Sequence, residues 1–235
     1  MNKKYQFSKE QEERFHLKAV KQNGYAIQYI KNPSEQVQIE AVRRNGNVIK
    51  YINNPSEEVQ LEAVRQNENA IEYIKNPSEQ LQLEAVKQDG CTIQYITNPS
   101  EEVQLAAVRG NGHAIEFIKN PSEKVQIEAV RRNGNVINYI NNPSEEVQIE
   151  AVRQDVYSIK FIKNPSDYIK SVVDVLETSK RTIYILHEPN KEPLFSIGCQ
   201  YNITKDYFIF RIYHFDGGLE KNPHRQEYLD ILERY

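Results

Sequence analysis

The chain is poor in the residues that staple, ligate or anchor a protein. Its 235 residues include two cysteines, Cys91 and Cys199, far apart in the sequence. That argues against a disulfide framework and a cysteine zinc site, and fits a reducing compartment. No apolar run approaches the ~20 residues that a membrane-spanning helix needs. Residues 1–8 lack the apolar core of a secretion signal, so the expectation is a cytoplasmic protein without membrane association. An excess of either charge is also missing. The net charge is −3, distributed as +4 over residues 1–31, −5 over 32–163 and −2 over 164–235. A repeat protein that tracks a phosphate backbone carries a clear positive excess, which argues against nucleic acid as partner. Catalytic signatures are absent as well: there is no H-E-x-x-H, no G-x-S-x-G and no P-loop. No catalytic, cofactor-binding or metal-ligating residue is therefore assigned.

What the sequence does contain is a strict period of 22 residues. Asn-Pro-Ser-Glu starts at Asn32, Asn54, Asn76, Asn98, Asn120 and Asn142, and returns at Asn164 with Asp167 in place of Glu. Such a period marks a solenoid, in which each unit buries its apolar side only by stacking on its neighbours. Within residues 54–75, Asn54 reads as a helix N-cap, Pro55 as the first helical residue and Glu57 as the partner that closes a capping box. Val59, Ala63 and Val64 form an apolar stripe at helical spacing, with Leu61 on its border. The helix runs to about Asn67, and Gly24, Gly46, Gly90, Gly112 and Gly134 read as helix stops. A second, shorter helix follows, carrying Ala70, Ile71, Tyr73 and Ile74. Residues 10–31 lack the Asn-Pro-Ser start and read as an N-terminal cap whose helix begins at Ser8, with Phe7 as an apolar lead-in. Leucine-rich repeats have a similar period but need an L-x-L before the asparagine, which is missing here.

The predicted fold class is mainly α: an α-solenoid of seven 22-residue helix-turn-helix repeats over residues 1–165, with a small α+β module at 166–235. In that module the pattern predicts a helix over 166–179, strands over 181–187, 194–203 and 207–215, and a last helix opening at Asn222-Pro223. The module is expected to dock on the last repeat. The Asn-Pro-Ser-Glu…Ala-Val-Arg/Lys…Asn-Gly…Ile-x-Tyr-Ile pattern resembles the short two-helix repeats of bacterial and phage proteins, in the style of HEAT-like and leucine-rich-variant solenoids. The resemblance covers about residues 10–165. It implies a repeat scaffold that presents a surface to a macromolecule, and it carries no catalytic residue, because such folds host many functions.

Three ladders recur through the units. The basic one, from Lys21 through Arg43 and Arg65 to Arg153, is expected to be neutralised by acids three residues earlier on the same helix, such as Glu40 and Glu62. The second, Gln38, Gln60, Gln82, Gln104, Gln126 and Gln148, points into the apolar arc, so each amide needs a partner in the turn backbone or in the next Gln. The aromatic ladder, Tyr29, Tyr51, Tyr73, Tyr95, Phe117, Tyr139 and Phe161, reads as packing between repeats. The partner surface is expected where units differ. One exposed position after the turn reads Tyr25, Asn47, Asn69, Cys91, His113, Asn135, Tyr157. Another, three residues later, reads Gln28, Lys50, Glu72, Gln94, Glu116, Asn138, Lys160. Residues 98–119 depart furthest from the consensus, with Ala106 in place of Glu and Gly110 in place of Arg or Gln. The candidate partner-binding set is Asn69, Glu72, Gln94, Ala106, Gly110, His113, Glu116, Asn135 and Asn138. In the C-terminal module His187, Glu188, Cys199, Asp206, His214, Asp216 and His224 supply acid–base residue types, with His214 and Asp216 the best pair for the enzyme alternative. The functional expectation is a non-enzymatic scaffold or inhibitor with a basic protein partner, such as an immunity-type, anti-defence or assembly protein. Nucleic-acid binding is the other alternative.

Overall fold

A computed structural model describes residues 8–177, 182–197, 200–214 and 225–235. The chain divides into two compact units, Met1–Lys119 and Asn120–Tyr235. The first holds α1 (Lys9–Gln22), α2 (Glu35–Arg44), α3 (Glu57–Gln66), α4 (Glu79–Gln88) and α5 (Glu101–Gly110), each followed by a six-residue 3-10 helix such as Glu68–Tyr73 or Gly90–Tyr95. Each α-helix packs on the next. In the second, α6 (Glu123–Arg132) and α7 (Glu145–Gln154) continue the same helix and 3-10 pairing. The fold is thus the expected mainly helical repeat array with a small sheet module behind it, and the short helix winds at three residues per turn.

The repeat motif does its work differently from the expected capping box. The asparagines at 32, 54, 76, 98, 120 and 142 sit in the left-handed region at φ 49–54°, which asparagine tolerates better than other side chains. The cap is the serine: Ser56 Oγ accepts from the Val59 amide at 3.4 Å, and α3 begins one residue later at Glu57. Asn and Pro form the turn that feeds the cap. The glutamate of the motif does not close a box but ties units together. Ser78 Oγ donates to Glu57 Oε1 at 2.9 Å, and Ser34 Oγ to Glu13 Oε1 at 2.6 Å. Only α1 shows a reciprocal box among the described helices, between Ser8 and Gln11; Phe7 lies outside the described residues.

At the other end of the long helix, Asn67 is extended (φ −154°, ψ 111°) and acts twice. Its amide closes α3 onto Ala63 O, and its Oδ1 accepts from the Asn69 amide at 3.0 Å to start the 3-10 helix. The glycines that follow are not left-handed stops. They leave room for the next helix: a Cβ on Gly46 would lie 2.3 Å from the Ala63 carbonyl oxygen. The glutamine ladder behaves as expected. Nε2 of Gln38, Gln60, Gln82 and Gln104 donates to the carbonyl of the motif proline at 2.9 Å, and Gln126 and Gln148 repeat this in the second unit. Val59, Ala63, Val64, Ala70 and Ile71 are buried, and Leu61 is half-buried.

The C-cap residues Asn67, Asn111 and Asp155 each take part in a second tie, to the preceding repeat, and one of these ties is imperfect. In the first unit Asn67 Nδ2 donates to Asn47 Oδ1 at 2.9 Å. In the second, Asp155 stands where Asn67 stands, so it receives 3.3 Å from Asn135 Nδ2, and Asn135 Oδ1 is buried without a partner. Burial raises the Asp155 carboxyl above its ordinary value, against hydrogen bonds from the Tyr157 amide and Asn135 that lower it. Asp155→Asn is expected to stabilise the chain by about 1 kcal/mol at neutral pH, because it removes a desolvated charge and supplies a donor for Asn135. A raised carboxyl favours the folded state below its unfolded pKa and loses that advantage as pH rises through the folded value. The difference between variant and wild type in urea unfolding should therefore shrink as pH falls from 7 towards 4; a constant difference would refute this account.

The C-terminal module departs from expectation in three places. Ser166 caps α8 (Asp167–Val172), but the chain then enters β1 (Val173–Glu177) instead of continuing as a helix. The β-branched residues at 172, 173 and 175 favour that choice. β2 (Thr182–Leu186), β3 (Leu194–Ile197) and β4 (Gln200–Thr204) complete an antiparallel sheet in the order β1-β2-β3-β4, so four strands replace three. The aromatic run at 207–215, read as a strand, falls largely in α9 (Lys205–His214). A short continuous apolar run does not distinguish the two. Here Phe208 is buried and stacks on Phe195 with ring centroids 5.1 Å apart. α10 (Arg225–Leu232) places Tyr228, Ile231 and Leu232 in the same core with Ile183 and Ile185. Asn222 and Pro223 lie outside the described residues.

The sheet docks on the last repeat as expected, by imitating one. Asn202, left-handed at φ 47°, accepts from the Val156 amide at 3.0 Å and donates to the carbonyls of Arg153 (2.9 Å) and Gln154 (2.7 Å). Glu188 binds Arg153 at 2.5–2.7 Å, the role that Glu150 plays for Arg131. Burial works against the Glu188 carboxylate, but hydrogen bonds from Arg153 and Lys191 outweigh it and hold its pKa below the usual range.

Candidate partner-binding face

Arg43, Arg65, Arg131 and Arg153 of the basic ladder meet carboxylates, mostly across neighbouring repeats and not along one helix. Arg43 Nε meets Glu62 at 3.0 Å and Arg65 meets Glu84 at 3.6 Å; in the second unit Arg131 meets Glu150 at 2.9 Å. The i,i+3 geometry occurs at Arg153 with Glu150, at 3.7 Å. Ala106 interrupts this series, because it stands where a glutamate would answer Lys87. Gly110 interrupts another: Gln66 Oε1 accepts from the Gly46 amide and Gln88 Nε2 donates to Val64 O at 2.9 Å, whereas Gly110 has no side chain to reach Gly90. Both substitutions thin the ties between α4 and α5. They sit on the long helix, apart in the fold from the short-helix positions of the candidate set.

The position after the turn is less open than expected. His113 is exposed, but Asn69 and Cys91 are half-buried, and so is Asn135 in the second unit. Asn69 Nδ2 donates to Glu68 at 3.0 Å, and Cys91 Sγ accepts from Asn111 Nδ2 at 3.2 Å. Burial and neighbouring Asp89 push the Cys91 thiol up, away from the thiolate that metal binding or nucleophilic chemistry requires. Among the described residues no group of three or more His, Cys, Asp or Glu side chains is arranged to hold a metal ion.

Glu72, Gln94 and Glu116 are exposed in the first unit, and Asn138 in the second. Each precedes an aromatic residue whose ring packs only in part. Tyr51, Tyr73, Tyr95 and Phe117 keep 40%, 41%, 37% and 40% of their surface exposed. The cause is the 3-10 winding. Residues three apart share a row, so Ile71 and Ile74 both turn inward and the ring of Tyr73 is left lying across the surface. The invariant Ile-x-Tyr-Ile spacing held that signal, hidden by an α-helical projection. Polar groups attend the rings: Lys50 Nζ lies 5.2 Å from the centroid of Tyr51 and 5.5 Å from that of Tyr73, and Tyr25 meets Tyr51 edge-on at 6.3 Å. In the second unit Tyr139 is likewise exposed. Nearby, Asn138, Asn141, Asn142 and Phe161 line a cleft of about 310 Å³.

Most residues of the enzyme alternative fall outside the description of side chains. His214 ends α9, while Cys199, Asp216 and His224 lie outside the described residues. A different trio meets in the module: His187 Nε2 is 3.2 Å from Asp174 Oδ2, which also accepts from the Tyr235 hydroxyl. Burial and Asp174 push that hydroxyl up to about 12, so it remains protonated. Among the described residues no helix is long and apolar enough to cross a membrane. Compared with family models, curated proteins and solved structures, the chain matches none.

Proposed function

We propose that this chain is a non-enzymatic repeat scaffold that binds a protein partner through the short-helix face of its units. The observation that carries the reading is the row of half-exposed aromatic rings at one repeat position, each preceded by a residue that varies from unit to unit. Aromatic rings in a periodic exposed row are costly in water and are enriched where proteins meet. The variable neighbours Glu72, Gln94 and Glu116, with Asn138 in the second unit, supply the differences that a specific partner needs. Stacking of nucleic-acid bases on such rings is the rival use. The carboxylates of Glu72 and Glu116 beside them count against it, because they repel phosphates.

The test is capture from a nuclease-treated lysate of the source cells by the full-length chain. Wild type is compared with Tyr73→Ala/Tyr95→Ala and with Glu58→Lys on the long helix. A protein retained by wild type and Glu58→Lys, and lost by the tyrosine variant, is the expected result. Equal retention by all three, or recovery of nucleic acid alone from an untreated lysate, would overturn it.

A further inference from the structure

The rings are spaced so that one ammonium serves two of them, and the chain itself demonstrates this. Lys50 Nζ lies within 5.2 Å of the Tyr51 centroid and 5.5 Å of the Tyr73 centroid, inside the range at which a cation is held by an aromatic face. One unit further on, the repeat puts Glu72 where Lys50 stands, beside Tyr73 and Tyr95. The next unit puts Gln94 there, beside Tyr95 and Phe117. These positions are exposed, and among the described residues Glu72 forms no ion pair. The slot that Lys50 fills from within is thus repeated with a carboxylate or an amide at its edge and no internal cation.

We infer that the slots bounded by Tyr73, Tyr95 and Phe117 receive lysine or arginine side chains from an extended basic segment of a partner protein, with the Glu72 carboxylate at the edge of the Tyr73–Tyr95 slot and the Gln94 amide oxygen at the edge of the Tyr95–Phe117 slot. The inference rests on the reading of the short-helix face as the partner surface and names its chemistry. Lys50 stands in for the ligand at the first slot. Charge complementarity selects the occupant: residues 32–163 carry a net −5, and an acidic rim around aromatic faces favours a cation over an anion or a neutral apolar chain. The absence of the tyrosine hydroxyl in Phe117 does not matter, because the ring face provides the attraction.

The experiment titrates a labelled peptide of alternating lysine and glycine with the purified full-length chain and follows fluorescence anisotropy. Saturable binding is expected, weakened about tenfold or more by Glu72→Lys, whose new ammonium fills the slot as Lys50 does. Tyr95→Ala should weaken binding similarly and Tyr95→Phe should not. Glu58→Lys makes the same change in net charge on the long helix and should alter affinity by less than about twofold. Lys50→Glu, which empties the first slot, should tighten binding. Unchanged thermal melts establish that the exposed substitutions leave the fold intact. Equal losses for Glu72→Lys and Glu58→Lys, no loss for Tyr95→Ala, or no peptide binding by wild type would each overturn the inference. So would preferential binding of a labelled thymidine oligonucleotide. Failure of the slot is separable from failure of the face. A captured partner that is lost by Tyr73→Ala/Tyr95→Ala but kept by Glu72→Lys leaves the face standing and removes the cation slot.

Discussion

Gly90→Ala is expected to cost the chain about 2–3 kcal/mol of stability, and Gly110→Ala to gain it up to about 1 kcal/mol. The two glycines lie in adjacent repeats and the substitution is the same, so the opposite signs isolate the packing. An added Cβ at Gly90 would meet the Ala107 carbonyl oxygen at 2.3 Å and the Asn111 amide nitrogen at 3.2 Å. These are backbone atoms of α5 and of its cap, and they cannot swing aside as a side chain would. The neighbouring helix must retreat, which opens the buried contacts of Ala85, Val86, Ala107 and Val108. The preceding repeat carries Glu68 and the last one Val156 at the equivalent position, so the array can adjust to a side chain there, and this bounds the cost. Gly110 is the last residue of α5 and is exposed. Its Cβ would find the Val86 carbonyl oxygen at 3.6 Å and the Gly90 nitrogen at 3.9 Å, both ordinary contacts. Alanine there removes the entropy penalty of a helical glycine. Urea unfolding followed by circular dichroism measures both. A Gly90→Ala variant as stable as wild type would mean that close helix approach does not set this position.

The repeat register, the buried stripe and the glutamine ladder were all legible in the sequence, because each depends on spacing alone. Val59, Ala63 and Val64 must share a helical face, and a glutamine on that face must satisfy its amide. What spacing does not determine is the hydrogen-bond assignment within a motif. Asn54, Pro55 and Ser56 present two capping residues in succession, and the proline leaves either able to start the helix. The structure selects Ser56 because Asn54 takes the left-handed turn. The candidate face was half legible. Glu72, Gln94 and Glu116 stand out because they vary, whereas Tyr73 and Tyr95 repeat so regularly that they read as core. Their exposure follows from 3-10 winding, which a six-residue segment does not announce. The module was least legible: β-branched runs at 172–175 and aromatic runs at 207–215 are decided by what packs on them, and that is long-range.

Asn202→Ala should reduce stability by about 3 kcal/mol, the largest effect expected of any single side chain at the edge of the array. Three hydrogen bonds converge on that amide, from the Val156 N–H and to the carbonyls of Arg153 and Gln154. Each contributes about 1 kcal/mol net, and more where the abandoned group is shielded from water. Alanine also fits a φ of 47° less well than asparagine does. Asn202→Gly separates the two contributions, because it removes the hydrogen bonds and relieves the backbone; it should recover roughly 1 kcal/mol relative to alanine. Amide hydrogen exchange gives the local readout. Val156, fully buried at the end of the last repeat, should lose protection in both variants, since its N–H has only the asparagine oxygen to bind. The alternative is that the sheet is held by Arg153–Glu188 and the Tyr157–Tyr184 ring contact at 5.1 Å. In that case Asn202→Ala would cost less than about 1 kcal/mol, and the cap would be electrostatic and aromatic, not an imitation of repeat hydrogen bonding. Three hydrogen bonds from one half-buried amide outweigh a single ion pair whose carboxylate gives up most of its hydration to form, which is why the asparagine is expected to dominate.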